Sequence, residues 1–534
     1  MKLSSLKNIF PSISNALLAL LSAVLLILSF PDFEFWFLAW IALVPLFLAI
    51  RREKQFWRKS FFLGWIFGTA FFYGTCWWLT FAPITYAKFP PVLAYILMLG
   101  VTLVAGVFPA IFGALFSILL KRFGSYAFLA APFLWTFAEF LRFSITGNNW
   151  NTIGYSQAFQ PILLSFAAFG GVYLTGFFIV LANSAITFEI FQRHNQVKPR
   201  KIVPVAVHLS FLFAVFAPIF LSLITTNNHS VGAPQAHVVA VQPNVPMSGI
   251  KYEDWMRLRE RHVQLAESAL QKINEQPATN SEQPKIVIFP ESPMIFLYSE
   301  DEEFRRFLTE FAARSSAYIL FNAAEPDENS KRNFNSAVMI NPLGEKVAQY
   351  DKIHLLPFGE FQPLPDFLAS EIPAFVGSFS FGDEFDLLPF GDAKGGVMIC
   401  FESHFGSLSR EYARRGADFL IEMTNDGYLG NTPVLRQHLA NSVFRSVETN
   451  RPLLRVTNVG ITAFINERGE VLDAADVYAE SSRVWTISKS DGKQTFYVKY
   501  GEWLAWLCSI VSLALLIWCM IKTQRRKGAE TQSF

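Results

Sequence analysis

Charge is scarce in this 534-residue sequence: Asp, Glu, Lys and Arg together make 16%, where soluble domains run nearer a quarter. A chain this short of charge, 52% hydrophobic and with a mean hydropathy of +0.30, cannot be soluble throughout, so much of it must face lipid. Net charge is scarce as well, at +2, and no nucleic-acid partner is expected. Cysteine is rarer still. Of the four, Cys76, Cys508 and Cys519 lie in strongly apolar stretches and only Cys400 lies in mixed sequence, which excludes a disulfide framework. Also missing is a small-residue cleavage site behind the first apolar run, although Lys2 and Lys7 precede it as in a signal peptide. Phe30-Pro31-Asp32 follows instead, and then another apolar run, so the first run reads as an uncleaved span.

What is present is a series of apolar runs near the ~20 residues that a membrane span needs. Seven precede residue 230, at roughly 12–30, 35–50, 60–81, 91–120, 125–142, 161–191 and 203–225, and an eighth covers about 502–521. Every second connection is basic. Lys2 and Lys7 precede the first span; Arg51, Arg52, Lys54, Arg58 and Lys59 follow the second. Lys121 and Arg122 follow the fourth, Arg193, Lys198, Arg200 and Lys201 the sixth, and Lys522, Arg525, Arg526 and Lys527 the eighth. The alternate connections, Pro31–Glu34, Pro83–Pro91 and Ile145–Pro161, are nearly free of Lys and Arg. By the positive-inside rule both termini face the cytoplasm, and the domain between spans seven and eight faces outward. The expected organisation is residues 1–230 as spans one to seven, 231–495 as a soluble domain on the outer side, and 496–534 as span eight with a cytoplasmic tail.

Glu139 and Arg142 stand three residues apart near the outer end of span five. They read either as a helix-surface ion pair at the interface or as a contact to a lipid headgroup or substrate. Trp150, in the turn-rich segment Gly147–Ser156, reads as an aromatic-belt anchor.

Residues 231–495 alternate short apolar strands with helical patterns, which defines an α/β class. His237–Val241 opens the domain and an amphipathic helix covers roughly Glu253 to Ile273. The strand of Lys285–Phe289 leads to Glu291, a helix near Glu302–Ser315 precedes the strand Ala317–Asn322, and Ser336–Ile340 runs into the turn Asn341–Gly344. Gly396–Ile399 ends in Cys400, and Ala417–Glu422 and Leu453–Thr457 repeat the form. Carboxyl ends of such strands are where α/β proteins build sites.

Three residues there suit one mechanism. A thiol with an ordinary pKa of ~8.5 needs a base before it attacks a carbonyl. Glu291 can take the proton of Cys400, and Lys352 can stabilise the thiolate and the oxyanion, with the backbone N–H of Phe401 as a second donor. Taken singly, Cys400 would be a small buried hydrophobe, Glu291 a helix cap, Lys352 a solvated loop lysine, and Glu360 and Glu402 surface acids. The case rests on their local contexts, in order along one domain.

Phe289-Pro290-Glu291-Ser292, Tyr350-Asp351-Lys352 through Gly359-Glu360, and Ile399-Cys400-Phe401-Glu402 resemble the three signature segments of the nitrilase superfamily. With its flanking spans, nearly the whole chain resembles the membrane-bound apolipoprotein N-acyltransferase family. Further segments carry the resemblance: Leu134 to Arg142, Thr146 to Gln157, Thr424–Gly427, Gln437-His438, Arg445, Glu448–Arg451 and Arg455–Gly460. It implies a bundle of about eight transmembrane helices plus a nitrilase-like αββα sandwich, in a bacterial inner membrane. It implies Glu291 as general base, Lys352 as oxyanion stabiliser and Cys400 as acylated nucleophile. Glu360 and Glu402 would orient Lys352 and the thiol, and Asn335 would line the site. The implied reaction moves an acyl chain from a phospholipid to the thiol, then to the α-amino group of a diacylglyceryl-cysteine at a lipoprotein's N-terminus, with no metal and no cofactor.

The sequence departs from the family pattern around this centre. A tryptophan beyond the Gln242–Pro246 segment is replaced near Tyr252, with Trp255 close by. Phe401 stands for a tyrosine, and Asn425-Asp426-Gly427-Tyr428-Leu429-Gly430 for Asn-Asp-Ala-Trp-Phe-Gly. These changes bear on how the rim, Tyr252 and Tyr428 included, grips the acyl chain. The apolar stretch Phe367, Leu368, Ile372, Phe375, Phe379 and Phe381 reads as core or as a lid that touches lipid and keeps water from the thioester. Two other functions remain open: a membrane-tethered amidase or nitrile hydrolase using the same triad, and a transporter with an appended domain. The transporter would need charged or broken helices at mid-depth, whereas the ionisable residues cluster at span ends.

Overall fold

The computed structural model describes residues 9–195, 234–275, 283–291, 294, 296–363 and 377–531. The chain divides into two compact units, Met1–Asn227 with Glu502–Phe534, and Asn228–Gly501.

The first unit is helical. Helices occupy Ile13–Ser29, Val44–Arg52, Trp57–Cys76, Pro91–Ala105, Val107–Phe123, Ala127–Thr146, Ala167–Asn195 and Trp503–Thr531. Among the described residues, three apolar helical stretches are long enough to cross a membrane by length and composition: 91–146, Ala167–Gln192 and Trp503–Ile521. The first of these contains three helices, and Ile13–Ser29 is apolar but shorter. The run expected at 35–50 is broken, with a short helix Ala39–Ala42 ahead of Val44–Arg52. The run expected at 203–225 lies outside the described residues.

Apolar side chains cover the outside of this unit, among them Val92, Ile96, Val104, Ile510 and Ile517. Such a surface suits lipid and not water. With no hydrophobic drive between helices in lipid, close packing must come from small residues. Gly64 and Gly68 supply it on Trp57–Cys76: a Cβ at Gly64 would stand 2.2 Å from the Pro109 carbonyl oxygen. Asn183 satisfies the broken segment, donating to Ala39 O at 2.8 Å and accepting from Leu43 N at 2.8 Å.

The second unit is an α/β sandwich. One sheet has the order β13-β1-β2-β3-β4-β5, with the short β6 (Phe379–Ser380) on β4. Its strands are β1 (Pro234–Gln242), β2 (Lys285–Ile288), β3 (Ala317–Pro326), β4 (Asn333–Ile340), β5 (Lys346–Asp351) and β13 (Ser481–Ser488). The other has the order β12-β11-β10-β9-β8-β7, built from β7 (Leu387–Phe390), β8 (Ala393–Ile399), β9 (Phe419–Thr424), β10 (Leu453–Thr457), β11 (Ala463–Ile465) and β12 (Val471–Leu472). β1–β2–β3 and β8–β9–β10 are parallel, and antiparallel strands flank each set. The central strands are apolar without alternation because both of their faces are covered. Tyr252–Asn274 and Glu302–Ser315 pack on the first sheet through Val263, Ala266, Phe304, Leu308 and Phe311. Gly406–Arg414 and Val434–Thr449 cover the second. Between the sheets Gln242 binds Thr457 Oγ1 and Thr462 N, both at 3.2 Å, and Tyr350 reaches Glu402. The architecture is the αββα sandwich expected from the sequence, joined in one chain to a membrane-associated helical unit.

Candidate active site

The strand ends of both sheets contribute to one cavity of about 500 Å³, lined by Glu291, Asn335, Lys352, Glu360, Cys400 and Tyr428 among others. Glu291 follows β2, Lys352 follows β5, and Cys400 follows β8. These strands bury their apolar residues and release the chain where the sheets end, so each functional side chain stands on a rigid base.

Lys352 is almost wholly enclosed and lies 2.8 Å from Glu360 Oε1 and 3.7 Å from Glu291 Oε1. Asn335, on β4, donates from Nδ2 to both carboxylates, at 2.7 Å to Glu360 and 3.1 Å to Glu291, while Asn322 donates to Asn335 Oδ1 at 2.7 Å. The second Glu360 oxygen accepts from Leu356 N at 2.7 Å. Glu360 therefore fixes Lys352, and Asn335 keeps Glu291 beside it. Burial disfavours the charge on Lys352, but Glu360 and Glu291 outweigh it and hold the ammonium charged well above the ordinary lysine range. Burial pushes Glu291 up, against the pull of Lys352. The thiol itself is pushed well above its usual value by burial and by the Glu291 charge. The resting site thus holds a neutral thiol facing a carboxylate base, an arrangement for proton transfer on attack rather than for a standing thiolate.

Cys400 heads a short 3₁₀ turn, Cys400–His404, with a backbone φ of +52°. A left-handed conformation is uncommon for a residue with a Cβ and marks a sharp strand-to-helix corner. Glu402, fully buried, clamps that corner. Its Oε1 accepts from Tyr350 Oη at 2.7 Å, Ile353 N at 2.8 Å and His354 N at 2.9 Å, and its Oε2 accepts from Ile399 N at 2.8 Å. One carboxylate thereby ties the lysine-bearing segment to the cysteine-bearing turn. Burial carries it up to about 7, against Lys352 and these donors. The Phe401 ring stacks on His404, with centroids 5.3 Å apart.

The structure brings Glu291, Lys352, Cys400, Glu360, Asn335 and Tyr428 to the cavity, with Phe401 and Glu402 adjoining it. Tyr252 begins a helix, but its side chain is outside the described residues, as is the stretch 364–376 that holds most of the expected lid. Phe379 is buried in β6 and Phe381 is exposed. Glu139 and Arg142 belong to the helical unit and line a different, mostly apolar cavity of about 390 Å³. Arg142 is buried there, donating to Thr152 Oγ1 at 3.3 Å with its guanidinium over Phe72, while Glu139 accepts from Ile153 N at 2.9 Å. Sequence reasoning assigned no role to Asn322 or to the buried group Glu422, Asp426, His438 and Arg455 beside the Cys400 backbone. The polar ends of β9 and β10 were its visible signal.

A sandwich of two such sheets with a Cys, a Glu and a Lys at their strand ends defines a carbon–nitrogen hydrolase fold, and residues 238–495 match the carbon-nitrogen hydrolase family. Residues 22–185 match the apolipoprotein N-acyltransferase N-terminal domain. The chain is 32% identical over 502 residues to the apolipoprotein N-acyltransferase of Geobacter metallireducens, covering 92% of each protein. It is 26% identical to that of Pasteurella multocida, covering 96% of each, and 27% identical to that of Thermotoga maritima, covering 96% of this chain and 95% of the relative. Among solved structures, Saccharomyces cerevisiae Nit3, a member of branch 10 of the nitrilase superfamily, aligns at 19% identity and a TM-score of 0.38, covering 49% of this chain and 93% of that one. The chain belongs to the apolipoprotein N-acyltransferase family.

Proposed function

We propose that this chain N-acylates lipoproteins, taking an acyl chain from a phospholipid and delivering it to the α-amino group of an N-terminal diacylglyceryl-cysteine. The observation that carries the reading is the Glu291–Lys352–Cys400 cavity in a chain whose other unit is built of apolar helices, because both substrates are amphiphiles held in a bilayer. Glu291 removes the thiol proton as Cys400 Sγ attacks the ester carbonyl. Lys352, with the Phe401 N–H, stabilises the oxyanion. The intermediate collapses, the C–O bond breaks, and the lysophospholipid leaves with the proton from Glu291. The amine then attacks the thioester, gives its proton to Glu291, and expels the sulfur, which takes that proton back. Glu360, Glu402 and Asn335 position these groups. Tyr428 and Tyr252 grip the acyl chain, and Arg142 and Glu139 contact substrate or lipid.

The test is intact-protein mass spectrometry after incubation with phospholipid alone. Wild type is expected to gain one acyl group on Cys400 and to lose it on adding a diacylglyceryl peptide amine, in ping-pong order. An unmodified Cys400 would reject the reading. Release of free fatty acid without an amine would support the tethered hydrolase instead.

The proposed setting is a bacterial inner membrane, with Asn228–Gly501 on the periplasmic side and both termini cytoplasmic, as the Lys and Arg distribution requires. A cysteine placed at the exposed Glu328 should react with an impermeant maleimide in intact spheroplasts. Labelling only after membrane disruption would reverse the orientation.

A further inference from the structure

Beside the Cys400 backbone, and outside the cavity lining, lies a group of four buried ionisable side chains with no place in the mechanism above. They come from four elements that converge at the Cys400 corner: Glu422 on β9, Asp426 in the turn after it, Arg455 on β10, and His438 on the helix Val434–Thr449. All four are buried. Arg455 binds Asp426 Oδ2 at 2.7 Å and also Glu422. Ser442 donates its hydroxyl to Glu422. His438 Nδ1 lies 2.7 Å from Asp426 Oδ1, and its Nε2 lies 3.1 Å from the carbonyl oxygen of Cys400 and 3.0 Å from Glu422 Oε1.

The protonation of His438 follows from these partners. Carboxylate and carbonyl oxygens accept and cannot donate. A neutral imidazole has one N–H, so one ring nitrogen would turn a lone pair on an acceptor at hydrogen-bond distance. Charge counting gives the same answer. Two carboxylates face one guanidinium, and a neutral His438 would leave a net negative charge buried, which is strongly unfavourable. With both nitrogens protonated, two cations meet two anions, Nδ1–H donates to Asp426 Oδ1 and Nε2–H to the Cys400 carbonyl, and the Glu422 carboxylate lies within ion-pair distance. The Cys400 carbonyl at the end of this chain belongs to the residue held at φ +52°.

We propose that His438 is an imidazolium across the neutral range and the positioning residue of the nucleophile: its Nε2–H holds the Cys400 carbonyl and so fixes the left-handed corner, and its charge adjoins the backbone of the residue on which thiolate develops. The inference rests on the reading of Cys400 as the attacking group but does not depend on which acyl donor or acceptor is used. Glu422, Asp426 and Arg455 are the charged groups facing His438 from β9, its following turn and β10, and the cation is retained across the neutral range because of them. His438 touches neither substrate nor the reacting sulfur and acts through the backbone of Cys400.

Two measurements on the full chain in nanodiscs test this. In wild type with ¹⁵N-labelled histidine, the His438 signals, assigned by their loss in His438→Gln, should remain those of an imidazolium from pH 6 to 8. A titration midpoint near the ordinary value of ~6.5 would overturn the proposal. In His438→Gln, which keeps a donor but loses the charge, iodoacetamide alkylation of Cys400 should require a pH about one unit higher, a roughly tenfold slower reaction at neutral pH. The phospholipid KM should change less than about twofold while the acylation rate falls, since a remote positioning group acts on the chemical step. A purely structural histidine would alter folding without moving the alkylation profile, and a superimposable profile in a folded variant would reject the role. If His438→Gln does not fold, the His438 signals are assigned in wild type by single substitution of the other seven histidines, and the imidazolium measurement alone decides. Failure of phospholipid to acylate Cys400, with the alkylation shift intact, would reject the acyl-transfer reading and leave this one standing.

Discussion

The two units bury polar groups in opposite ways. In the helical unit, buried polarity is mostly neutral and repairs backbone: Asn183 serves the break at Ala39–Leu43, Ser22 accepts from Leu46 N at 2.8 Å, and Ser184 donates to Phe128 O at 2.5 Å. In the sheet unit, buried polarity is charged and sits in clusters, Glu291–Lys352–Glu360 in the cavity and Glu422–Asp426–His438–Arg455 outside its lining, with Arg445–Glu448 at 3.0 Å beside them. A helix in lipid must satisfy its own backbone, and a side chain is recruited only where the helix breaks. A sandwich satisfies its backbone through its ladders, which leaves buried charge free to set the geometry of a reaction. The cost is that removing one charged member leaves its counter-charge buried without a partner.

Several substitutions would break or sharpen this contrast. The largest effect belongs to the cavity. Glu291→Gln and Cys400→Ala should each abolish thioester formation in the mass-spectrometric assay, with the protein still folded, because an amide cannot take the thiol proton and a methyl cannot attack. Lys352→Met should slow it by ~10²–10³, the usual loss when one oxyanion donor goes, read from single-turnover kinetics. Arg455→Met leaves Glu422 and Asp426 facing each other with only His438, and should destabilise the sheet unit by about 3–5 kcal/mol in denaturant unfolding. Asn183→Leu, its counterpart in the helical unit, removes neutral bonds and should cost only about 1–2 kcal/mol, seen as faster hydrogen exchange at Leu43. Equal losses from these last two would erase the distinction.

The smallest effect is a pH dependence confined to the sheet unit. Although burial alone would lower His438, Glu422 and Asp426 raise it from 6.5 to about 9. Its folded value exceeds its unfolded one, so its contribution to stability is complete below 6.5 and lost as the pH rises to about 9. Burial pushes Glu422 up, but Arg455 and His438 take it from 4.5 down to about 2, so its contribution is complete above 4.5 and lost as the pH falls toward 2. Melting temperatures of wild type measured from pH 6 to 10 should fall at the alkaline end, and Arg455→Met should change the slope.

Much of the candidate site was legible in the sequence because each member ends or follows a short apolar strand. Glu291 after Lys285–Ile288 and Cys400 after Ala393–Ile399 lie where the period of burial stops. The sandwich followed from alternating strands and helices. The closure of its edges did not: β13 pairs with β1 across more than two hundred residues, and β5, reading Lys-Val-Ala-Gln-Tyr-Asp, is too polar to announce itself. Arg142 read equally as half of a surface ion pair or as a ligand contact, because spacing along one helix does not reveal what packs over it. In the structure Phe72 and Thr152 do so. Glu402 was expected to orient the thiol and the lysine; besides the Tyr350 hydroxyl it binds the backbone of Ile353, His354 and Ile399, partners that no side-chain pattern encodes. His438 was hidden for a related reason, since it reaches the nucleophile through a carbonyl from 38 positions away.

The left-handed backbone at Cys400 sets this residue's chemistry against its fold. An L-residue there costs roughly 1–2 kcal/mol that glycine would not incur. Selection for stability alone would therefore favour replacing the proposed nucleophile, and Cys400→Gly should be a more heat-resistant protein than Cys400→Ala while forming no more thioester. Among inactive variants made to capture a bound lipid, the glycine form is the better choice. A copy of this chain released from selection for activity would be expected to drift toward it first.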